Sequence, residues 1–196
     1  VPSKLIKVAR KEKVDYILST GDFYNFDTFR RLIFKHYKEV EGSSSRLKDI
    51  IGAKRYNNLL KLYRNSGKFT LKKLNSLKIP IITIYGNTDT TNKAPWRKYV
   101  RKQWANRGEP LEKQIKSLKN FSLIDYSYKK FNRFFIYGMG VKYPGKSKKS
   151  VFGYSPFKTA LEEYKKLNDL FKKINPRKVI LLTHESPRNT KFDKVI

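Results

Sequence analysis

The 196-residue sequence predicts one domain of the α/β class. Three short apolar segments, residues 14–20, 79–85 and 178–183, have the length and composition of buried strands. Amphipathic segments with the 3.6-residue period of a helix lie between them. Apolar strands that alternate with helices form sheets covered on both faces, and in such folds ligands bind at the carboxyl ends of the strands.

The first half of the chain is predicted to contain four helices. Breaks at Gly42, which is followed by three serines, and near Gly67 separate them. Residues 42–78 are basic and lie between two predicted strands, so we interpret them as a helical insertion within the single domain 1–196, either a cap over the site or a decoration of the fold. The first of these helices is predicted to begin at Ser3. The other three are predicted to cover residues 27–40, 47–63 and 69–77.

The second half is predicted to contain a β-hairpin, a helix and the last apolar strand. Residues 121–127 and 132–138 have the pattern of two strands joined at the Lys-Lys pair between them. The Ser155-Pro156 pair is typical of a helix start, and the apolar stripe of that helix continues to Ile174.

Positive charge is the strongest compositional feature. Lys and Arg number 45 against 16 Asp and Glu, a formal net charge of +29. A thermophile's surface usually balances lysine with glutamate, and this sequence does not. The excess therefore favours a polyanionic partner, nucleic acid above all, over a merely lysine-rich surface.

Composition also excludes several kinds of site. There are no cysteines, so disulfides and thiolate metal sites are ruled out, and a metal must take oxygen and nitrogen ligands. No apolar run approaches the roughly 20 residues that cross a bilayer, and no secretory leader is visible, so we predict a cytoplasmic protein without a membrane partner. The oligomeric state is left open.

Each of the three apolar strands is followed by a side chain that can bind metal. Asp22 stands in GDFYNF, Asn87 in GNTD and His184 in THESP. These ligand types suit a divalent ion such as Mn, Fe, Zn or Co, and the Asp22 carboxylate can bridge two ions. Gly21 and Gly86 let the backbone turn sharply just before the first two ligands. Each motif alone is more often a turn or a structural histidine; the three together favour a metal site.

GDFYN, GNTD and THESP, in this order and each after a strand, resemble the calcineurin-like metallophosphoesterases. That family's signature runs Asp-x-His, Gly-Asp, Gly-Asn-His-Asp, a lone His and Gly-His-x-His. THESPRNTKFD looks most like the archaeal Icc-related phosphohydrolases. The resemblance spans nearly the whole chain and implies a sandwich of central β-sheets flanked by helices.

The resemblance also implies a reaction and a set of site residues. The reaction is hydrolysis of phosphate esters, phosphodiesters in particular, by a hydroxide that bridges two divalent ions. Asp89, Gly21 and Gly86 would orient the metal ligands without binding the ions themselves. The metal ligands would be Asp22, Asn87 and His184, and the substrate-binding residues Asn25, Thr88 and Arg188.

The sequence departs from the family pattern in two ways. The Asp-x-His and Gly-His-x-His blocks would lie before Val1 and after Ile196, so we expect both ends to be missing and the second metal site to be incomplete. Thr88 stands where the family has a histidine. Threonine is a poor proton donor, so we expect slow hydrolysis of esters with basic leaving groups.

Two alternatives stay open. Residues 93–107 predict a helix with Trp96 and Trp104 on one stripe and a basic flank, which is either core with solvated cations or a rim that contacts a nucleic-acid backbone. Thr88 and the missing blocks are also consistent with a non-catalytic nucleic-acid-binding or scaffolding module that retains the phosphoesterase fold.

Overall fold

The computed structural model describes residues 2–42, 47–86, 88–89, 110–140 and 157–184. Within these residues the chain forms helices and short strands in alternation. The helices are α1 (Pro2–Lys11), α2 (Asp27–Lys35), α3 (Tyr37–Gly42), α4 (Leu47–Ile51), α5 (Ala53–Asn75), α6 (Leu111–Lys116) and α7 (Phe157–Lys173), with a 3-10 turn at Pro176–Lys178. The strands are β1 (Ile17–Ser19), β2 (Ile81–Thr83), β3 (Phe121–Leu123), β4 (Tyr128–Phe131), β5 (Phe134–Met139) and β6 (Val179–Thr183).

The strands form two three-stranded sheets. In the first, β1, β2 and β3 run parallel in that order, with Ile17 opposite Ile81 and Ile81 opposite Phe121. In the second, β5 lies between β4, which is antiparallel to it, and β6, which is parallel to it. Parallel and mixed sheets flanked by helices confirm the predicted α/β class.

The two sheets share a core. Ile82 and Ile84, in β2 and its continuation, belong to one buried cluster with Ile136 of β5 and Leu182 of β6. Side chains alternate in direction along a strand, so Ile81 packs on the opposite face of the first sheet. The middle strand of the first sheet is therefore covered on both faces, and all three of its side chains, Ile81, Ile82 and Thr83, are buried.

Helices cover the outer face of the first sheet. Phe29 of α2, Tyr63 and Leu71 of α5, and Leu111 of α6 pack there in one cluster with Ile81. Burying side chains of this size stabilises the fold by about 2 kcal/mol each. The fold therefore has three layers: the helices, the first sheet and the second sheet. In each sheet, the parallel strands have their carboxyl ends at the same edge.

The helices between β1 and β2 differ from the prediction. The predicted helix 27–40 is interrupted at His36, and the predicted helix 47–63 is interrupted at Gly52, whose φ of 83° is left-handed. The predicted end near Gly67 is wrong, because α5 continues through it to Asn75. Gly67 instead gives room for the ring of Tyr24, which an added Cβ would overlap. A glycine inside a helix costs only about 1 kcal/mol, and this contact offsets it.

The predicted hairpin is present with its second strand at β5, but its first strand and its turn are not the predicted ones. Lys129 and Lys130 lie within β4 and pair with Ile136 and Phe135 of β5, so they do not form the turn. The turn lies at Asn132, whose φ of 51° asparagine tolerates better than lysine does. Residues 121–123 join the first sheet beside β2, because their apolar side chains find their partners there.

Several predictions fall outside the described residues. These include the basic segment 93–107 and the Ser155-Pro156 helix start, although α7 ends at Lys173 close to the predicted Ile174. Helices α4 and α5 occupy most of 42–78, and their status as an insertion stays a prediction. Across the described ranges, no helix combines the length and apolar character needed to cross a bilayer.

Candidate metal centre

Asp22 lies just beyond the carboxyl end of β1 on a left-handed turn. Gly21 has a φ of 88° and Asp22 a φ of 58°. Glycine adopts such angles without strain, and aspartate does so more readily than most residues. Asp22 is exposed, so the turn directs a charged side chain out of the sheet edge.

The loops after β1 and β2 touch at backbone distance. A Cβ added to Gly21 would overlap the backbone of Gly86, and a Cβ added to Gly86 would overlap Asp22 itself. Both positions therefore require glycine for space as well as for turning. The close approach places the GNTD loop directly against Asp22.

Asp89 joins these two loops from inside the protein. It is 1% exposed, and its carboxylate accepts hydrogen bonds from the backbone amides of Asp22 at 2.9 Å, Phe23 at 3.0 Å and Gly86 at 2.8 Å. The pKa of this carboxyl is raised to about 7, chiefly by burial and also by the charge of Asp22, against the hydrogen bonds from the three amides, which lower it. A cation held by Asp22 would also favour the carboxylate form.

Thr88 holds one oxygen of the Asp22 carboxylate. The Thr88 amide donates to Oδ1 of Asp22 at 2.9 Å, and the Thr88 hydroxyl donates to the same oxygen at 3.0 Å. The Tyr63 hydroxyl on α5 in turn donates to the Thr88 carbonyl oxygen. These contacts orient the carboxylate so that Oδ2 faces the end of β6.

His184, at the end of β6, lies against that second oxygen. Its Nε2 is 3.7 Å from Oδ2 of Asp22, and its Nδ1 is 2.6 Å from the carbonyl oxygen of Thr20. A carbonyl oxygen only accepts, so in the neutral imidazole Nδ1 carries the proton and Nε2 presents its lone pair towards Asp22. A ligand histidine is commonly fixed by a hydrogen bond of this kind.

The pair fits a shared divalent ion. Such an ion binds histidine nitrogen and carboxylate oxygen at about 2.1 Å each, so two ligands of one ion lie roughly 3 to 3.5 Å apart. The observed 3.7 Å needs little adjustment. His184 is 14% exposed and the Asp22 side chain 40%, so the pair borders solvent and is open to an ion.

The other predicted site residues are placed less fully. Asn87 and Arg188 lie outside the described residues. Asn25 is exposed, and its side-chain oxygen accepts from the Asp27 amide at 3.0 Å, a contact that shapes the start of α2. Among the described residues, no three His, Cys, Asp or Glu side chains gather closely enough to hold an ion, so Asp22 and His184 form a partial site.

Three groups at or near the candidate metal centre were not predicted from the sequence. Tyr63 gave no signal, because its hydroxyl acts on a residue brought close only by folding. The Thr20 carbonyl is a backbone group, and no sequence pattern marks it. Asp125 follows β3 as Asp22 follows β1, and that signal was readable; its Oδ1 accepts from the Gly140 amide at 3.1 Å and ties the end of β3 to the end of β5.

The chain belongs to the calcineurin-like phosphoesterase family. The model of that family matches residues 3–194. The predicted family and sandwich fold are thereby confirmed, and no curated protein matches the chain.

Two solved structures share the fold. One crystal structure has a TM-score of 0.52 with 13% identity over 91% of this chain and 61% of its own. The crystal structure of TT1561 of Thermus thermophilus has a TM-score of 0.51 with 13% identity over 98% of this chain and 64% of its own. The chain thus spans less than two thirds of either structure, and at this identity the likeness concerns the fold alone.

Proposed function

We propose that the protein containing this chain is a metal-dependent phosphodiesterase in which Asp22, Asn87 and His184 hold divalent ions. The observation that carries the proposal is the approach of His184 Nε2 to Asp22 Oδ2 at 3.7 Å, at the edge where two sheets meet. Family membership supports phosphate-ester hydrolysis. The choice of ligands is supported by the resemblance of GDFYN, GNTD and THESP to the metal motifs of that family.

Each residue has a part in the proposed reaction. Asp22 offers Oδ2 as a ligand because Thr88 occupies Oδ1, and His184 is held in the ligating tautomer by Thr20. Asp89 fixes both loops behind the site. When bound, two ions of the Mn, Fe, Zn or Co type would neutralise phosphate charge and lower the pKa of a water molecule.

Substrate preference follows from charge and from Thr88. The net charge of +29 favours a nucleic-acid phosphodiester, which would make the enzyme a nuclease, with Asn25 and Arg188 beside the phosphate. Thr88 donates to Asp22 and is a weak acid, so we expect rates to fall steeply as the leaving group becomes more basic. Within the family, the chain is proposed to be most closely related to the archaeal Icc-related phosphohydrolases, on the basis of the segment THESPRNTKFD.

The test is hydrolysis of bis(4-nitrophenyl) phosphate by the full-length protein, stripped of metal and then given Mn²⁺. Turnover should require the metal and fall more than about 100-fold in Asp22→Asn and in His184→Gln. His36→Gln is a matched control, because His36 is the other histidine of the sequence and contacts Glu39 on a helix. Metal-independent turnover, or equal rates in all three variants, would contradict the proposal.

The same experiment separates the second candidate, a nucleic-acid-binding module without catalysis. The charge of +29 favours that candidate as much as it favours a nuclease. It predicts tight, salt-dependent binding of oligonucleotides with no metal-dependent turnover.

A further inference from the structure

The outward face of α5 carries cations and no acid. None of the 23 residues of this helix is Asp or Glu. In sequence the nearest acids are Asp49 on α4 and the buried Asp89. The exposed cations of the helix are Lys54, Arg55, Lys61, Lys68, Lys72 and Lys73.

Four of these cations form one row, which we call the α5 lysine row. Lys54, Lys61 and Lys68 recur every seventh residue, or two helical turns, and Lys72 follows one turn later. At 1.5 Å per residue the row is about 27 Å long, comparable to roughly eight nucleotides of a helical strand. The opposite side of α5, including Tyr63, is buried in the core, which fixes the row towards solvent.

Beside this row lie two exposed apolar side chains. Leu62 is 66% exposed and Phe69 is 55% exposed, and each directly follows a lysine of the row in sequence. Binding sites for single-stranded nucleic acid combine aromatic rings with cations, because the bases stack on the rings while the phosphates contact the lysines. A membrane-surface helix would need a broad apolar face, and the apolar face of α5 is already buried against the first sheet.

The middle of α5 is attached to the loops of the candidate metal centre. The Tyr63 hydroxyl donates to the Thr88 carbonyl, and the Asn25 amide donates to the Ser66 hydroxyl at 2.9 Å. Gly67 packs against Tyr24 in the loop that follows Asp22. These contacts leave from the side of α5 opposite the lysine row, so a strand bound along the row would lie across the helix from these loops, about 10 Å away.

The contrast with α7 shows why α5 is the stronger candidate. Lys165, Lys166 and Lys173 on α7 are also exposed, but Asp169 lies among them and pairs with Lys172 at 3.4 Å. The contacts that Tyr63, Ser66 and Gly67 make with the loops of the candidate metal centre belong to α5. The two helices thus offer similar lysines in different settings.

We propose that the outward face of α5 is a docking surface for single-stranded nucleic acid, in which the α5 lysine row contacts phosphates and Phe69 stacks on a base. The inference deepens the proposed function by naming its substrate class. Binding does not require hydrolysis, so each can fail without the other.

The experiment measures binding of a fluorescent single-stranded 20-mer to the full-length protein in EDTA, by anisotropy between 50 and 300 mM salt. The triple variant Lys61→Gln/Lys68→Gln/Lys72→Gln should bind roughly 100-fold more weakly at 0.1 M salt and lose about 2 from the slope of log K against log salt, since each phosphate contact contributes about 0.7. The matched control is Lys165→Gln/Lys166→Gln/Lys173→Gln, which removes the same charge from α7 and should bind within about threefold of wild type.

Phe69→Ala gives a second readout. It should weaken binding of the single strand by about fivefold or more and leave binding of a duplex unchanged, because paired bases are not available to stack. Equal losses in the two triple variants, or wild-type binding in the α5 variant, would overturn the proposal. Vesicles containing phosphatidylserine are the remaining probe; a loss in the α5 variant confined to vesicle binding would overturn it in favour of a lipid surface.

Discussion

The hydroxyl of Thr88 donates a hydrogen bond to Oδ1 of Asp22 at 3.0 Å, and the amide of the same residue donates to the same oxygen at 2.9 Å. One oxygen of the proposed metal ligand is thus occupied by the protein. The other faces His184. The residue that replaces a family histidine therefore has a positive role here, which is to orient the ligand.

Removing that hydroxyl should weaken metal binding. Thr88→Val keeps the shape and the amide but loses one donor to Asp22, so we expect Mn²⁺ affinity to fall about 10-fold by calorimetry. Thr88→Ser keeps the hydroxyl and should stay near wild type. Wild-type affinity in the valine variant, or an equal loss in the serine variant, would show that the hydroxyl does not matter.

Asp89 should matter mainly for stability. Asp89→Asn keeps an acceptor but turns an NH₂ group towards a backbone amide, which should cost about 1–3 kcal/mol in the free energy of unfolding by urea titration. Asp89→Ala, which leaves three amides without acceptors, should cost more. Asp169→Asn is the control, since its carboxylate is exposed and should tolerate the change. The account of the loops is wrong if the Asp89 variants unfold like the control.

Gly86 should be irreplaceable for reasons of space. Gly86→Ala places a Cβ in the volume of Asp22, so we expect loss of metal-dependent turnover together with a lower midpoint of thermal unfolding. Gly52→Ala is the matched comparison: Gly52 has a φ of 83° with open space around it, so alanine there should cost about 1 kcal/mol of stability and spare turnover. Retained turnover in Gly86→Ala would contradict the close approach of the loops.

Tyr63 should connect α5 to the site. Tyr63→Phe preserves the stacking on Tyr24, whose ring centroid is 4.9 Å away, but removes the donor to the Thr88 carbonyl. We expect a stability loss of about 1 kcal/mol and a separate drop in Mn²⁺ affinity. Unchanged affinity in a destabilised variant would limit Tyr63 to packing.

The sequence predicted the part of the fold that depends on local pattern. The strands that precede Asp22 and His184 were readable, because an apolar run that stops at a polar residue needs no knowledge of distant contacts. Their burial was not: β1 is half-buried, and Leu181 of β6 is exposed. Long-range choices were not readable. Residues 121–123 joined the first sheet instead of a hairpin, and Gly67 continued a helix because Tyr24 packs there.

The site shows the same division. Asp22 and His184 lie next to each other, and their role as ligands stays a prediction. The groups around them were not predicted: the Thr20 carbonyl holds His184, and the Tyr63 hydroxyl holds the carbonyl of Thr88. Such contacts are set by tertiary packing, and a single sequence does not display them.

The most direct test of the central claim is whether His184 ligates the ion that Asp22 binds. Electron spin echo measurements on the Mn²⁺-loaded full-length protein should show coupling to a ¹⁴N nucleus, as expected for a histidine ligand. We expect His184→Gln to lose one ¹⁴N coupling and His36→Gln to lose none, with Mn²⁺ affinity lowered in Asp22→Asn. The same set of ¹⁴N couplings in His184→Gln as in the wild type, or Mn²⁺ binding unaffected by Asp22→Asn, would contradict the account.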